Sequence, residues 1–138
     1  MALLALTACA DGGQEPAEIA KQELVGSWTG EKGERMQFSS DQTFRFTSVS
    51  LESQTYLSCP SGASTGEWSF FVSRGDGLFS DPQADSGKSI ALTFDGQDLG
   101  GCGFFVSVVD GGKTLCLSDD PDHLCTVESM FSRVESRS

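Results

Sequence analysis

The strict alternation of apolar and polar residues in two neighbouring segments constrains the fold of this chain most strongly. Phe44 and Phe46 alternate with threonine and arginine, and the preceding segment, which ends at Phe38, alternates in the same way. A period of two residues is typical of a β-strand with one face buried and the other in solvent. Residues 40–42 between the segments are turn formers. The range Gly26–Phe46 therefore predicts the start of an antiparallel β-sheet.

The same pattern of short apolar segments and turn clusters continues towards the C-terminus. Alternating segments recur around Trp68 and Leu92, and Gly111-Gly112 predicts a tight hairpin turn. Phe104–Val109 is apolar at nearly every position, which indicates a strand buried on both faces. By contrast, Ser73–Lys88 has no periodicity and predicts a long loop. The fold class is therefore all-β, a single antiparallel up-and-down β-barrel of about eight strands, since a closed barrel leaves no exposed sheet edge.

The N-terminal residues predict export and a lipid anchor. Residues 1–9 are apolar and too few to span a membrane, and they are typical of the end of a signal peptide. Leu6-Thr7-Ala8-Cys9 is similar to the bacterial lipobox, in which the cysteine becomes the lipidated N-terminus. We expect acyl chains on Cys9 to hold the protein on the outer face of the cell membrane; the alternative is a free thiol. Residues 10–22 then predict a polar tether, and 23–135 the barrel domain.

The charge balance argues against nucleic acid as a partner. The sequence has 20 acidic and 9 basic residues, which gives a net charge of −11. Binding to nucleic acid requires the opposite sign, because phosphates must be neutralised. Adsorption to an anionic membrane surface is disfavoured for the same reason. Since this charge also makes copies of the chain repel one another, we expect a monomer.

The cysteine spacing predicts two disulfides. Four cysteines follow Cys9, an even number in a chain that we expect to be exported: Cys59, Cys102, Cys116 and Cys125. If Asp120-Pro121 forms the centre of the last turn, Cys116 lies directly opposite Cys125, at a distance that a disulfide can bridge. If Gly111-Gly112 forms the centre of the preceding turn, Cys116 faces Ser107 and not Cys102. The sequence therefore predicts Cys116–Cys125 and, by elimination, Cys59–Cys102.

Residues suited to catalysis or to a transition metal are scarce. His123 is the only histidine, it lies in an acidic turn, and no two cysteines have the spacing of a zinc site. We therefore expect no enzyme activity, no metal and no cofactor. Calcium is the alternative metal, because aspartates cluster in Ser73–Lys88 and beside Pro121. Neither cluster has the spacing of a known calcium loop, so ordinary acidic loops are favoured.

Several segments together resemble a group of small uncharacterised lipoproteins of actinobacteria. Besides the lipobox, they are Leu24-Val25-Gly26-Ser27-Trp28, Phe38-Ser39-Ser40-Asp41-Gln42-Thr43-Phe44, Gly66-Glu67-Trp68, and Asp120-Pro121-Asp122 with Phe131-Ser132-Arg133. The usual Asp-Gly turn of that group is Asp41-Gln42 here. The resemblance implies an anchored surface protein and carries no known activity with it.

Gly26-Ser27-Trp28 is also similar to the Gly-x-Trp motif of the lipocalins. In that family the tryptophan lies at the closed end of an eight-stranded barrel, and an arginine near the end of the chain covers it. The resemblance implies a lipocalin-like barrel closed by Trp28 and Arg133 through a cation–π contact.

Two function classes follow from these observations. The first is an interaction module at the cell surface, which engages a protein or the cell wall through loops such as Ser73–Lys88. The alternative is a lipocalin-like carrier or sensor of a small apolar ligand, in a cavity lined by inward-facing aromatic residues: Phe44, Phe46, Trp68, Phe70 and Phe104. The sequence has 10 phenylalanines and 2 tryptophans, enough to fill a barrel of this size. The first class is therefore the expectation.

Overall fold

The computed structural model describes residues 15–49, 63–95, 104–118, 125 and 130–134. One short helix, α1 (Lys21–Leu24), precedes the second strand, and a 3₁₀ turn (Asp110–Gly112) joins the ninth strand to the tenth. The strands within these ranges are β1 (Ile19–Ala20), β2 (Gly26–Gly30), β3 (Arg35–Phe38), β4 (Thr43–Thr47), β5 (Ser64–Arg74), β6 (Gly77–Asp81), β7 (Ser86–Gly87), β8 (Ser89–Phe94), β9 (Phe105–Val109), β10 (Thr114–Ser118) and β11 (Met130–Arg133).

Eight of these strands close into a barrel. The order of hydrogen-bonded neighbours is β2, β3, β4, β5, β8, β9, β10 and β11, and β11 pairs with β2 to complete the circle. All of these pairings are antiparallel, and each barrel strand pairs with the barrel strand that follows it in the chain. The predicted fold class, an all-β antiparallel up-and-down barrel of eight strands, is confirmed.

Side-chain alternation places the predicted apolar residues inside the barrel. In β3 only Met36 and Phe38 are buried, and in β4 only Phe44 and Phe46. The register sets Met36 opposite Phe46, and directly opposed residues of antiparallel strands point to the same face. A slip of one residue would turn the whole set towards solvent, so burial of one face fixes the register.

The strands β9 and β10 are buried on both faces, which the apolar run in the sequence indicated for β9. Ser107 and Ser118, which point away from the interior, are nonetheless buried, and their hydroxyl oxygens lie 3.1 Å apart. The backbone N–H of Cys125 donates to the Ser118 hydroxyl at 2.8 Å, and Pro16 forms a bridge to Val109. The outer face of these two strands is therefore covered by segments of the same chain.

The prediction of a long loop over Ser73–Lys88 was wrong. β5 extends to Arg74, and its last residues pair with β6 instead of β8. Gly75, which follows, has a φ of +60°, the left-handed value that the first central residue of a type II′ hairpin turn needs. The hairpin is not visible in the hydrophobic pattern because β6 is almost entirely exposed, so neither of its faces requires apolar residues at alternate positions.

The chain packs against the barrel before residue 23, the domain boundary expected from the sequence. Ile19 in β1 is 2% exposed and belongs to the core, and β1 pairs with β7. The N–H of Ala17 donates to the carbonyl of Val108 at 2.8 Å. Residues 16–22, part of the segment expected to be a tether, thus pack as part of the domain.

Candidate functional site

Trp28 and Arg133 meet at the seam where the barrel closes. They are directly opposed in the pairing of β2 with β11, and the guanidinium carbon lies 6.0 Å from the centroid of the indole ring, within the range of a cation–π contact. The guanidinium also donates hydrogen bonds to the carbonyls of Glu23 and Val25. The indole N–H donates to the carbonyl of Leu24 at 2.9 Å. One residue pair thus joins the last strand, the first barrel strand and α1.

These contacts satisfy carbonyl groups that a short helix cannot satisfy itself. The last carbonyls of any helix lack an intrahelical partner, and α1 is only 4 residues long. Gly26 follows with a φ of +138°, and a Cβ at this position would lie 3.4 Å from the Arg133 Nη2 atom. The positive φ, which other residues rarely adopt, therefore favours glycine in the Gly-x-Trp motif, whereas a Cβ would only make an ordinary contact with the arginine.

The aromatic residues expected to line a ligand cavity are all inside the barrel, and each is 3% exposed or less. Four of the five take part, with Phe38 and Phe94, in a continuous chain of ring contacts whose centroids lie 4.6–6.3 Å apart. Aromatic rings at these distances are in edge-to-face or tilted contact. This arrangement is typical of a packed core. The set expected from the sequence was Phe44, Phe46, Trp68, Phe70 and Phe104.

One polar group interrupts this apolar interior. Ser64 opens β5 opposite Phe46, is buried, and has a hydroxyl without a hydrogen-bond partner among the residues that the structure describes. Residues 62–66 also match the Gly-x-Ser-x-Gly pattern of hydrolase nucleophiles, a match that the expectation of no enzyme did not take into account. In those enzymes the serine lies on a turn from a strand to a helix, whereas Ser64 begins a strand of 11 residues. The match therefore carries no nucleophile geometry.

Cys116 and Cys125 form the predicted disulfide, with Cα atoms 5.2 Å apart. The expected register of β9 and β10 is also confirmed, since Cys116 lies opposite Ser107. The expected register, with Cys116 directly opposite Cys125, was wrong, because Cys116 faces Met130 in β11; the turn expected at Asp120-Pro121 lies outside the described residues. Cys125 lies outside β11, which spans Met130–Arg133.

Some predicted sites lie outside the residues that the structure describes. Lipidation of Cys9 and the pairing of Cys59 with Cys102 therefore stay predictions. His123 and the aspartates next to it are also outside the described ranges. Within those ranges, no group of three or more histidine, cysteine, aspartate or glutamate residues is arranged to hold a metal ion.

Two surface clefts of the described part of the barrel have linings of mixed polar and apolar character. One, of about 880 Å³, lies between the N-terminal segment and the seam of β2 and β11, and its lining includes Glu15, Glu31 and Asp110. The other, of about 780 Å³, lies on the outer face of β2 to β5, beside Gln37 and Arg45. Neither cleft is lined by large exposed apolar residues.

The largest exposed apolar side chains of the described residues lie on β6. Leu78 is 54% exposed and Phe79 is 52% exposed. Because they are consecutive residues of one strand, they point to opposite faces of the hairpin. An ion pair between Arg74 and Asp81, 2.9 Å long, spans the hairpin. The apolar pair between clusters of turn formers was the sequence signal that could have revealed this surface.

Comparison with known protein families, with curated proteins and with solved structures found no match to this chain. Membership of the actinobacterial lipoprotein group therefore stays a prediction. The closed eight-stranded antiparallel barrel is consistent with a lipocalin-like architecture. None of the helical segments described here has the length and the apolar character that a passage through a bilayer requires.

Proposed function

We propose that this protein is a non-catalytic interaction module, anchored in the membrane through lipid on Cys9, that binds another protein or the cell wall outside the cytoplasm. The contrast between interior and surface carries the proposal. The interior is occupied by aromatic rings in mutual contact, whereas the hairpin of β5 and β6 exposes Leu78 and Phe79 to solvent. We take these two neighbouring exposed apolar side chains as the surface that the partner covers.

The position of the hairpin also fits an anchored protein. Pro16 bridges to Val109 at the C-terminal end of β9, and the registers of β8 and β5 bring the same end of the barrel next to the hairpin. Only residues 10–15 separate Cys9 from Pro16, a distance of at most about 24 Å in a fully extended chain. A lipid on Cys9 would therefore hold the hairpin near the membrane surface, where neighbouring surface proteins lie.

A specific observation favours the alternative, a carrier or sensor of a small apolar ligand. The Ser64 hydroxyl points into the barrel without a partner among the described residues. A buried hydroxyl that lacks a hydrogen bond is costly, by about 1–3 kcal/mol. The polar end of a bound ligand would remove this cost.

A native mass spectrum of the non-reduced protein from residue 10 onward separates the two functions. The interaction module predicts a bare mass, lower by four hydrogens than the reduced chain because of the two disulfides. A retained apolar ligand would contradict the module and support the carrier. If the carrier is correct, Ser64→Ala should also lose the ligand while it keeps the fold.

A second experiment looks for the partner directly. A photoreactive amino acid placed at Phe79 of the lipidated protein in its own cells should form crosslinks to another protein or to cell-wall material. The matched control is the same amino acid at Gln37, an exposed position on the outer face of the barrel. Equal crosslinking at both positions would show that the hairpin is not the binding surface.

A further inference from the structure

The outer edge of β6 offers backbone hydrogen-bonding groups. In the described part of the chain β6 pairs only with β5. Arg74 and Gly77 are the closing pair of a two-residue turn, and such a pair is joined by backbone hydrogen bonds. Since bonded and non-bonded pairs alternate along an antiparallel ladder, Leu78 and Ser80 direct their N–H and C=O groups away from β5. The edge therefore has two donors and two acceptors for one further strand.

The positions of the two exposed apolar residues favour a partner that adds a strand at this edge over a partner that packs on one face of the hairpin. Leu78 and Phe79 point to opposite faces of the hairpin. A partner that lies on one face covers only one of them. A strand added at the edge brings side chains next to both, because each of its residues has cross-strand neighbours on its own face.

The charges at the hairpin argue against a second copy of this chain. The hairpin carries Asp76 and Asp81, and its only basic residue, Arg74, is already paired with Asp81. A second copy would bring further aspartates to this edge and no unpaired basic residue. The net charge of −11 adds repulsion over the whole molecule.

We propose that the free edge of β6 accepts an extended segment of another protein as an additional β-strand, and that this segment carries Lys or Arg on either side of a short apolar stretch. The proposal rests on the interaction function proposed above and names the kind of partner. The apolar stretch covers Leu78 and Phe79, and the cationic residues face Asp76 and Asp81. Backbone pairing provides most of the contacts, so the partner is recognised by its extended conformation and its charge.

A short peptide tests this proposal directly. The probe is Lys-Thr-Val-Ile-Val-Thr-Lys with blocked termini, added to the non-reduced, ¹⁵N-labelled protein from residue 10 onward. We expect saturable changes in amide shifts that centre on β6, and slower hydrogen exchange at Leu78 and Ser80. Two peptides of matched length are the controls: one with Pro in place of Ile, which cannot continue a strand, and one with Glu in place of both Lys. Both should bind at least about tenfold more weakly.

Two variants of the protein locate the binding edge. Ser80→Pro removes an outward-facing donor but no bond between β5 and β6, and proline is tolerated at such edge positions. Leu78→Thr combined with Phe79→Thr removes the apolar contacts and keeps residues that favour strands. Each should weaken peptide binding by about tenfold or more. Val134→Thr is the control, because Val134 is also exposed, at 41%, but lies outside the hairpin.

Several outcomes would overturn the proposal. The proposal is wrong if the Lys peptide does not bind, or if the Lys and Glu peptides bind equally well. It is also wrong if the peptide changes amide shifts elsewhere on the barrel and not on β6. Self-association of the protein that Ser80→Pro abolishes would show that a second copy pairs with this edge. Binding of the unlipidated protein to vesicles of phosphatidylglycerol and phosphatidylethanolamine, lost in the double Thr variant, would instead make the hairpin a membrane contact. If the peptide does not bind, but the native mass shows no ligand and Phe79 crosslinks to a protein, strand addition is rejected and the interaction function remains. If the native mass spectrum shows a retained apolar ligand, the proposed interaction function is itself rejected.

Discussion

At the scale of single residues, the Arg133 guanidinium connects three parts of the molecule. It lies over the Trp28 ring and donates to two carbonyls at the end of α1. Arg133→Met keeps an unbranched stem but loses these contacts, so we expect the free energy of unfolding to fall by about 1–2 kcal/mol. Urea unfolding followed by tryptophan fluorescence measures the loss. Arg74→Met is the control, because its ion pair is exposed and should contribute about 0.5 kcal/mol or less; equal losses would contradict the closing role.

Gly66 is required by close packing inside the barrel. A Cβ at this position would lie 2.1 Å from the Thr93 carbonyl oxygen and 2.8 Å from the Phe44 ring. Since the backbone of β8 cannot move away without breaking the ladder, Gly66→Ala should lower the free energy of unfolding by about 3 kcal/mol. Gly77→Ala is the matched control, because the nearest atom, on the Phe79 ring, is 3.6 Å away. Thermal and urea unfolding of both variants check this, and a tolerated Gly66→Ala would mean that β8 can shift.

Asp41 provides a prediction about pH. The Thr43 hydroxyl donates to its carboxylate at 2.6 Å and the Thr43 backbone N–H at 3.2 Å, and these bonds lower the pKa of Asp41 below its ordinary value of 3.8. A lowered folded-state pKa stabilises the fold above the unfolded pKa, and this contribution is lost as the pH falls through the folded value. Thr43→Val should therefore raise the Asp41 pKa, as measured by NMR titration of its carboxyl carbon. Thr43→Ser keeps the hydroxyl and should change it little; equal pKa values in both variants would rule out the hydroxyl as the cause.

At the scale of elements, the Cys116–Cys125 disulfide ties β10 to the connection that leads into β11. It closes a loop with a sequence separation of 9, for which chain-entropy models give about 2.5 kcal/mol. Cys116→Ala combined with Cys125→Ala should lower the free energy of unfolding by this amount, as measured by urea unfolding. If Cys59 and Cys102 are also bonded, their double Ala variant should lose more, about 4 kcal/mol, because the loop is longer. No loss in the first variant would mean that the bond does not restrict the unfolded chain.

The strands that the sequence predicted have at least one buried face. β3 and β4 alternate because burial of one face imposes a period of two residues. β6 is exposed at four of its five positions, so burial imposes no pattern and the strand was not predictable from periodicity. The disulfide between Cys116 and Cys125 was predicted from an assumed register and is present, although the register differs, because Cys116 lies opposite Met130 in β11.

The candidate site followed the same rule. The sequence predicted the inward-facing aromatic residues, because they belong to alternating strands. The number of aromatic residues favoured a filled barrel, but the sequence did not predict the individual ring contacts, since these depend on strand register and on the diameter of the barrel. Nor did it predict the exposed pair Leu78 and Phe79, because exposure of an apolar residue follows from what the fold leaves uncovered. Closure by Trp28 and Arg133 came from the resemblance to lipocalins, and the contact between them is present.

At the scale of the whole molecule, the barrel concentrates its special features at one end. The start of β2, the hairpin of β5 and β6, and the bridge from Pro16 to Val109 all lie at the end where β9 finishes. Aromatic rings in mutual contact occupy the interior behind them. In the anchored protein that we propose, the described edge of β6 is available for binding, and strand addition depends on this arrangement.

Closure of the barrel by β11 gives the last prediction. β11 pairs with both β2 and β10, and Phe131 is completely buried. A chain that ends at Ser129 lacks this strand and exposes the edges of both neighbours, so we expect it to lose cooperative unfolding in urea and to self-associate. A chain that ends at Val134 keeps the strand and the bond from the Val134 N–H to the Ser27 carbonyl, 2.8 Å long, and should unfold like the full chain. A synthetic peptide of residues 130–138 should restore a dispersed amide spectrum to the shorter chain. If the shorter chain without the peptide unfolds at the same urea midpoint as the full chain, the barrel does not depend on β11.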